Sequence, residues 1–325
     1  MGMIVLILDA KRALYGASEG VMLCINALIP SLFTFIFLSI ILTNTLHSTK
    51  IPFLRPIGRL CRIPSGAEGI LLLGLLGGYP VGAQCVCNAY RDGQISREDA
   101  HRLLGFCNNA GPAFLFGMLG AQFSSSITVW CLWLIQILSC LFVGMILPGK
   151  AGSAEKPPIK DDLSITKALS RSVYVMANIC AWAIVFRVIL TFCSDYFFWL
   201  MPQPLQVLLA GFLELSNGAL RISTISSEIT RFLICCTIIP AGGICVAMQT
   251  VSVAHGLGMG MYLQGKLLQT LISFLIGILL IPLIFRVQEN IIYTILPIGL
   301  VLFLIPLFVI LIFRKNSSKL KINAV

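Results

Sequence analysis

Residues 77–83, Gly-Gly-Tyr-Pro-Val-Gly-Ala, and residues 107–112, Cys-Asn-Asn-Ala-Gly-Pro, stand within sequence that is otherwise apolar enough for a membrane. Helix breakers and amide side chains cost free energy in lipid, because every freed backbone group needs a hydrogen-bond partner there. Irregular backbone persists at membrane depth only where protein buries it or where it lines a cavity. The two interruptions therefore indicate a place where something polar is held.

The composition of the whole chain indicates an all-α polytopic membrane protein. Of its 325 residues, 58% are hydrophobic and 11% are charged, and the mean hydropathy is +0.94. An ordinary soluble domain carries about 25% charged residues, so a soluble core is excluded. The net charge of +10 could suggest nucleic acid. The placement of the basic residues indicates membrane topology instead, and we expect lipids rather than nucleic acid as partners.

The twelve cysteines and three histidines do not form a recognisable metal or catalytic motif. No Cys-x-x-Cys pair is present, and the histidines do not cluster with the cysteines. Most cysteines lie in apolar segments, where cysteine behaves as a small hydrophobic residue. We therefore expect no metal site, no cofactor and no enzymatic activity. The closely spaced pair Cys85 and Cys87 is left open.

Five stretches are long and apolar enough to cross a membrane, and other apolar stretches are interrupted by helix breakers. We expect full spans at residues 21–44, 127–147, 172–193, 267–285 and 291–313. We expect helical, re-entrant hairpins at 67–90 and 206–219 and interrupted helices at 103–122 and 232–254. Residues 1–12 are expected to lie in the membrane interface, and residues 150–167 read as a polar linker.

The distribution of lysine and arginine supports the hairpin interpretation. If each hairpin returns to the side from which it enters, one face receives seventeen of the 23 basic residues, including Lys266. The opposite face receives five, and Arg187 lies within a span. Cytoplasmic loops carry an excess of lysine and arginine, so the more basic face is expected to be cytoplasmic. Lys11 and Arg12 do not fit, which leaves the amino-terminal topology open.

The two halves share one order of elements, namely span, glycine-rich hairpin, interrupted helix and span. The first hairpin enters from the basic face and the second from the other, so the halves form an inverted repeat. We expect a first repeat at 1–149, a polar cytoplasmic linker at 150–170, and a second repeat with a basic tail at 171–325. The residues expected to break the helices are Gly78, Pro80, Gly82, Gly111, Pro112, Gly242 and Gly243.

Paired interrupted helices in an inverted repeat indicate a binding site near the membrane midplane. The candidate binding residues are Glu214, Asn108, Asn109, Gln84, Ser216 and Asn217. Glu214 is the strongest, because a carboxylate at membrane depth is costly unless it is paired or hydrated. The alternative is that these groups only cap broken helices. Arg187 could pair with Glu214 or extend to an interface, and the second is preferred. Tyr79 is interpreted as a turn former.

These motifs resemble those of the nucleoside-recognition, or Gate domain, membrane proteins. Within that family, they are most similar to the motifs of the sporulation integral membrane proteins. The resemblance is carried by residues 77–83, 90–96, 100–104, 106–112 and 214–218. It implies a multi-pass protein of a spore-forming bacterium, needed for spore formation and located in the mother-cell or forespore membranes. Relatives in the wider family transport nucleosides or ferrous iron. The resemblance does not supply a substrate, because a fold does not fix its ligand.

Two functions remain open at this point. The first is a transporter that moves a small polar solute or ion across a sporulation membrane, with its site at the helix breaks. The second is a non-transporting scaffold for other sporulation proteins, with the linker and the basic tail as its docking surface. The solute, the direction of transport, the coupling ion and a homo-oligomeric state are left open.

Overall fold

The structure is a computed structural model that describes residues 9–46, 52–149, 164–254 and 256–285. The predicted span at 291–313, the basic tail and nearly all of the polar linker lie outside the described residues. Residues 1–8 of the predicted interfacial segment also lie outside them.

The described residues form helices and no strands, which confirms the all-α prediction. The α-helices are α1 Ala10–Leu23, α2 Ile29–Leu46, α3 Arg55–Leu60, α4 Glu68–Leu76, α5 Val81–Arg91, α6 Arg97–Leu104, α7 Pro112–Phe114, α8 Ser126–Ile146, α9 Ile165–Tyr196, α10 Gln203–Leu213, α11 Leu215–Arg221, α12 Glu228–Ala241, α13 Gly243–Val253 and α14 Gly260–Phe285. A π-helical turn, Cys24–Leu28, joins α1 to α2, and another, Leu115–Leu119, continues α7.

Five helical segments are long and apolar enough to cross a membrane, which confirms a polytopic membrane protein. They are Ala10–Leu38, Ser126–Ile146, Ile165–Tyr196, Glu228–Val253 and Gly260–Phe285. The last of these begins seven residues before the predicted span at 267–285, and two polar residues of its first two turns, Tyr262 and Lys266, are buried. Lys266, expected in a loop, is therefore part of a helix.

The described elements follow the same order in both halves. In the first half, a long span (α1 and α2) is followed by a short hairpin (α4 and α5), an interrupted helix and a second long span (α8). In the second half, the long span α9 is followed by the hairpin of α10 and α11, an interrupted helix and the long span α14. The two first spans pack against each other, and the two last spans pack against each other.

Small residues allow α1 and α9 to pack closely. Gly16 and Gly20 of α1 lie one turn apart, and a Cβ atom on Gly20 would lie 2.9 Å from the Ile184 Cα atom. A Cβ atom on Gly16 would lie 3.0 Å from the Val188 Cα atom. A Gly-x-x-x-Gly pair of this kind is a typical contact between membrane helices, since it lets two backbones meet.

The first interrupted helix passes between the two arms of the first hairpin. A Cβ atom on Gly74 of α4 would lie 1.8 Å from the Cys107 carbonyl oxygen, and one on Gly82 of α5 would lie 2.0 Å from the same atom. Gly82, predicted to break a helix, lies inside α5 instead. The prediction is wrong for this residue, whose role is to admit the Cys107 backbone.

The remaining predicted breaks lie at or next to helix ends. Gly78, with a φ of 77°, lies in the turn between α4 and α5, and Pro80 caps the start of α5. Gly111 caps α7, and Pro112 is its first residue, a position where the missing N–H of proline costs nothing. Gly242, with a φ of 70°, separates α12 from α13. Gly243 is the first residue of α13.

Candidate functional site: a cavity between the two helix breaks

The tips of both hairpins meet at one cavity. The first hairpin contributes Gly78 and Tyr79, and the second contributes Glu214 and Ser216. Gly111 of the first interrupted helix also lines it. The rest of the wall is mostly apolar and comes from the two first spans, α2 and α9, and from α13. The cavity thus joins elements of both halves at their irregular backbone.

Glu214 occupies the tip of the second hairpin, between α10 and α11. Its backbone is extended, with φ −147° and ψ 116°, and the residue caps the start of α11. One carboxylate oxygen accepts the Ser216 N–H at 3.0 Å. The other accepts the Asn217 N–H and the Asn217 side-chain amide, both at 2.7 Å. The capping role that the sequence left open is therefore present in the structure.

The capping contacts leave Glu214 with capacity for a further partner. A carboxylate offers about four lone-pair positions. Three are used by the contacts to Ser216 and Asn217, and the fourth belongs to the oxygen that accepts only one hydrogen bond. The same residue also lines the cavity.

Arg187 connects the second hairpin to the first spans. It lies on α9, donates one hydrogen bond to the side-chain oxygen of Asn217 and forms an ion pair of 3.2 Å with Glu19 of α1. These two partners hold Arg187 beside the second hairpin, and its extension to a membrane interface stays a prediction. The direct pair with Glu214 is not formed; Asn217 lies between the two charges.

Asn108 and Asn109 are fully buried and bonded within the protein. The Asn108 side chain accepts the Ala83 N–H at 3.3 Å and donates to the Thr250 hydroxyl at 3.0 Å. It therefore joins the first hairpin to α13. Neither asparagine lines the cavity, so the structure separates them from Glu214 and Ser216.

Asn109 is the centre of a cluster of amide side chains between α8 and α14. Its side-chain oxygen accepts from Gln269 at 2.7 Å and from Gln136 at 3.2 Å. Its amide nitrogen donates to the Phe106 carbonyl at 2.7 Å. The two last spans are thus joined through the first helix break by side chains that are almost completely buried.

Gln84 takes part in neither group. Its side chain, on α5, is half-buried and makes none of the hydrogen bonds that join the cavity residues or the amide cluster. The predicted site residues therefore form two groups. Glu214, Ser216 and Asn217 lie at the second hairpin tip, and Asn108 and Asn109 lie in the polar interior.

Several polar residues of these sites were not predicted from the sequence. Gln249 of α13 lines the cavity, and Lys266 and Gln269 of α14 lie in the polar interior. A periodic signal for α14 was present, since Tyr262, Lys266, Gln269 and Ser273 recur at helical spacing on one buried face. A polar stripe within an apolar helix indicates a face that packs against protein and not against lipid.

The cavity wall presents a few polar groups among apolar side chains. Glu214 supplies negative charge, and Gln249 and Ser216 supply amide and hydroxyl groups at an otherwise apolar wall. Within the described ranges, no three His, Cys, Asp or Glu side chains lie close enough together to hold a metal ion.

Comparison with known proteins gives one informative similarity. The sporulation integral membrane protein YlbJ of Bacillus subtilis (strain 168) is 31% identical over 123 residues, which is 36% of this chain. The match covers 29% of that relative, so the two align over less than a third of its length. No family model matches the chain, and no solved structure matches it. The chain is thus an all-helical integral membrane protein with partial similarity to a sporulation membrane protein.

Proposed function

We propose that the protein is a transporter-like membrane protein of the Gate domain type that moves a small polar solute or ion during spore formation. The observation that carries this proposal is the cavity at which both hairpin tips meet, with the Glu214 carboxylate at its wall. Transporters built from repeated halves bind their substrates near the midplane, at helix breaks. The partial similarity to a sporulation membrane protein supports the setting, which we propose to be the mother-cell or forespore membrane.

The geometry also supports a mechanism of alternating access. The cavity wall is divided between the two halves, so that a rocking movement of one half against the other would open it to one side at a time. Each interrupted helix packs closely against the hairpin of its own half. In the first half, Gly82 of the hairpin meets the Cys107 carbonyl oxygen. In the second half, Gly243 meets the hairpin, and a Cβ atom on it would lie 2.8 Å from the Gly211 carbonyl oxygen. Hairpin and interrupted helix would then move together.

Solute flux into liposomes tests the proposal. Purified protein is reconstituted and supplied with labelled probes of different charge, namely a nucleoside, an amino acid, a dicarboxylate and a monovalent cation. We expect uptake of one class, and we expect Glu214→Gln and Gln249→Leu to reduce it at least tenfold. Glu98→Gln is the matched control, because it makes the same chemical change at an exposed position of α6. Uptake that is equal in all variants would reject the cavity as the site.

A sporulation assay separates transport from the scaffold alternative. Deletion of residues 152–162 in the polar linker should leave spore formation intact if transport is the function, whereas Glu214→Gln should impair it. The opposite pattern would favour the scaffold, whose predicted docking surface lies mostly outside the described residues.

A further inference from the structure

Lys266 is a lysine enclosed by protein in the middle of the polar interior. Its side chain is 5% exposed, and it lies nearly two turns inside α14. The ammonium nitrogen contacts three oxygen atoms, namely the Asn108 carbonyl, the Gln269 side-chain oxygen at 2.9 Å and the Tyr79 hydroxyl at 3.2 Å. An ammonium group has three N–H donors, so each donor has one acceptor.

The acceptors are neutral. Within the described part of the chain, no carboxylate lies within 4 Å of the Lys266 nitrogen; its surroundings also include the Tyr79 ring, whose centre is 5.1 Å away. A cation held by carbonyl, amide and hydroxyl oxygens, without a counter-ion, is in the surroundings that proteins provide for a bound monovalent metal ion. Lys266 therefore differs from a lysine that forms an ordinary ion pair with a carboxylate.

The oxygen atoms around Lys266 lead to both helix breaks. The Asn108 carbonyl belongs to the first interruption. The Tyr79 hydroxyl in turn contacts the carbonyl oxygens of Ile239 and Pro240, at 3.1 and 3.2 Å, which are among the last four of α12. Carbonyl groups at a helix end have no partner within the helix and carry partial negative charge. The Lys266 nitrogen therefore contacts the first helix break directly and is connected to the second through the Tyr79 hydroxyl.

We infer that the protonated Lys266 side chain is a tethered cation that fills a monovalent-cation site between the two helix breaks, built from the Asn108 carbonyl, the Gln269 side-chain oxygen and the Tyr79 hydroxyl. The side chain supplies the positive charge that broken helices can otherwise take from a bound ion. The protein should therefore need no sodium or potassium ion to hold its two breaks together. This inference does not depend on the proposed transport function, because its test measures folding stability alone.

Truncation of the Lys266 side chain should make the space around its ammonium group accessible to free cations. We expect the purified variant Lys266→Ala to unfold at a temperature several degrees below that of the wild type in choline chloride. Addition of methylammonium, ethylammonium or sodium ions at constant ionic strength should restore part of the loss, with a saturating concentration dependence, because a ligand that binds only the folded state stabilises it. The wild type should respond equally to all of these salts.

Lys266→Met is the matched control. Methionine fills much of the same volume with an unbranched chain but carries no charge. We expect its unfolding temperature to fall and to show no recovery with any of the cations, because the methionine chain blocks the site. If Lys266→Met is as stable as the wild type, or if Lys266→Ala does not respond to any cation, the inference is wrong and Lys266 is a packing residue.

A double-mutant cycle keeps the inference testable if Lys266→Ala does not fold. Gln269→Leu removes one acceptor and should destabilise the wild type more than it destabilises Lys266→Met, because the ammonium and the amide stabilise each other. Equal effects in the two backgrounds would overturn the inference.

Discussion

Arg187 on α9 and Asn217 on α11 are joined by a hydrogen bond from the guanidinium group to the amide oxygen. The Asn217 amide nitrogen donates in turn to the Glu214 carboxylate at 2.7 Å. The orientation of the asparagine is therefore fixed from both ends, with its acceptor towards arginine and its donor towards glutamate. Through Asn217, Arg187 of the long span α9 thereby helps to position the Glu214 carboxylate.

We expect Arg187→Met to reduce the free energy of unfolding by about 1.5–3 kcal/mol, the usual contribution of a hydrogen bond to a charged group. The substitution leaves the Asn217 oxygen without its donor. Glu19→Gln should cost less than about 1 kcal/mol, because Glu19 is partly exposed and such ion pairs contribute little. Chemical denaturation in detergent measures both. Equal losses would mean that the ion pair, and not the hydrogen bond, carries the stability.

The cap at the second hairpin tip can be tested separately from transport. We expect Glu214→Gln to reduce the free energy of unfolding by about 0.5–2 kcal/mol, because a glutamine side chain keeps only one of the two accepting oxygens. Glu98→Gln, at an exposed position, should change it by about 0.5 kcal/mol or less. If Glu214→Gln were as stable as the wild type, the carboxylate would not be needed as a cap, and its presence would have to be explained by the solute.

Gly82 should tolerate no side chain. We expect Gly82→Ala to reduce the free energy of unfolding by about 1–3 kcal/mol or more, because its methyl group would overlap the Cys107 carbonyl oxygen. Gly120→Ala is the control, since no atom lies within 4 Å of the position of its new methyl group. Thermal unfolding of the two variants measures the difference. A stable Gly82→Ala protein would show that the first interrupted helix does not pass between the hairpin arms.

Arg102 of α6 forms hydrogen bonds to two other segments, residues 61–62 and helix α8. Its guanidinium group is 1% exposed and donates to the carbonyl oxygens of Cys61, Arg62 and Gly144. Burial lowers the pKa of Arg102, yet an arginine side chain remains protonated in proteins. We expect Arg102→Met to cost about 3 kcal/mol, since it leaves buried carbonyl groups without donors.

The exposed Arg97, in the first turn of the same helix, provides the comparison for Arg102. Its guanidinium group donates a hydrogen bond of 3.2 Å to the Gly256 carbonyl. Arg97→Met should change the free energy of unfolding by less than about 1 kcal/mol. The amount of folded protein recovered from membranes, followed by thermal unfolding, measures both variants. A similar loss of unfolding free energy in both variants would contradict the view that the buried hydrogen bonds of Arg102 stabilise the fold.

The class of the fold and most of its helix interruptions follow from local stretches of sequence. Apolar stretches of about twenty residues must form helices in lipid, because only a helix satisfies its own backbone there. Glycine and proline at 77–83, 107–112 and 240–243 interrupt them through their own local geometry. These are short-range effects, so they can be derived from neighbouring residues.

Which polar groups meet depends on how the helices pack together. Asn109 and Gln269 are 160 residues apart, and Tyr79 and Lys266 are 187 apart, yet each pair is in hydrogen-bond contact. The helical spacing of Tyr262, Lys266, Gln269 and Ser273 indicates a buried face, but it does not identify the segments that cover that face. Tyr79 of the first hairpin and Asn108 of the first helix break contact the buried Lys266, so its charge depends on oxygen atoms from distant segments. Long-range pairing of this kind is a property of the packed helices and not of any local stretch.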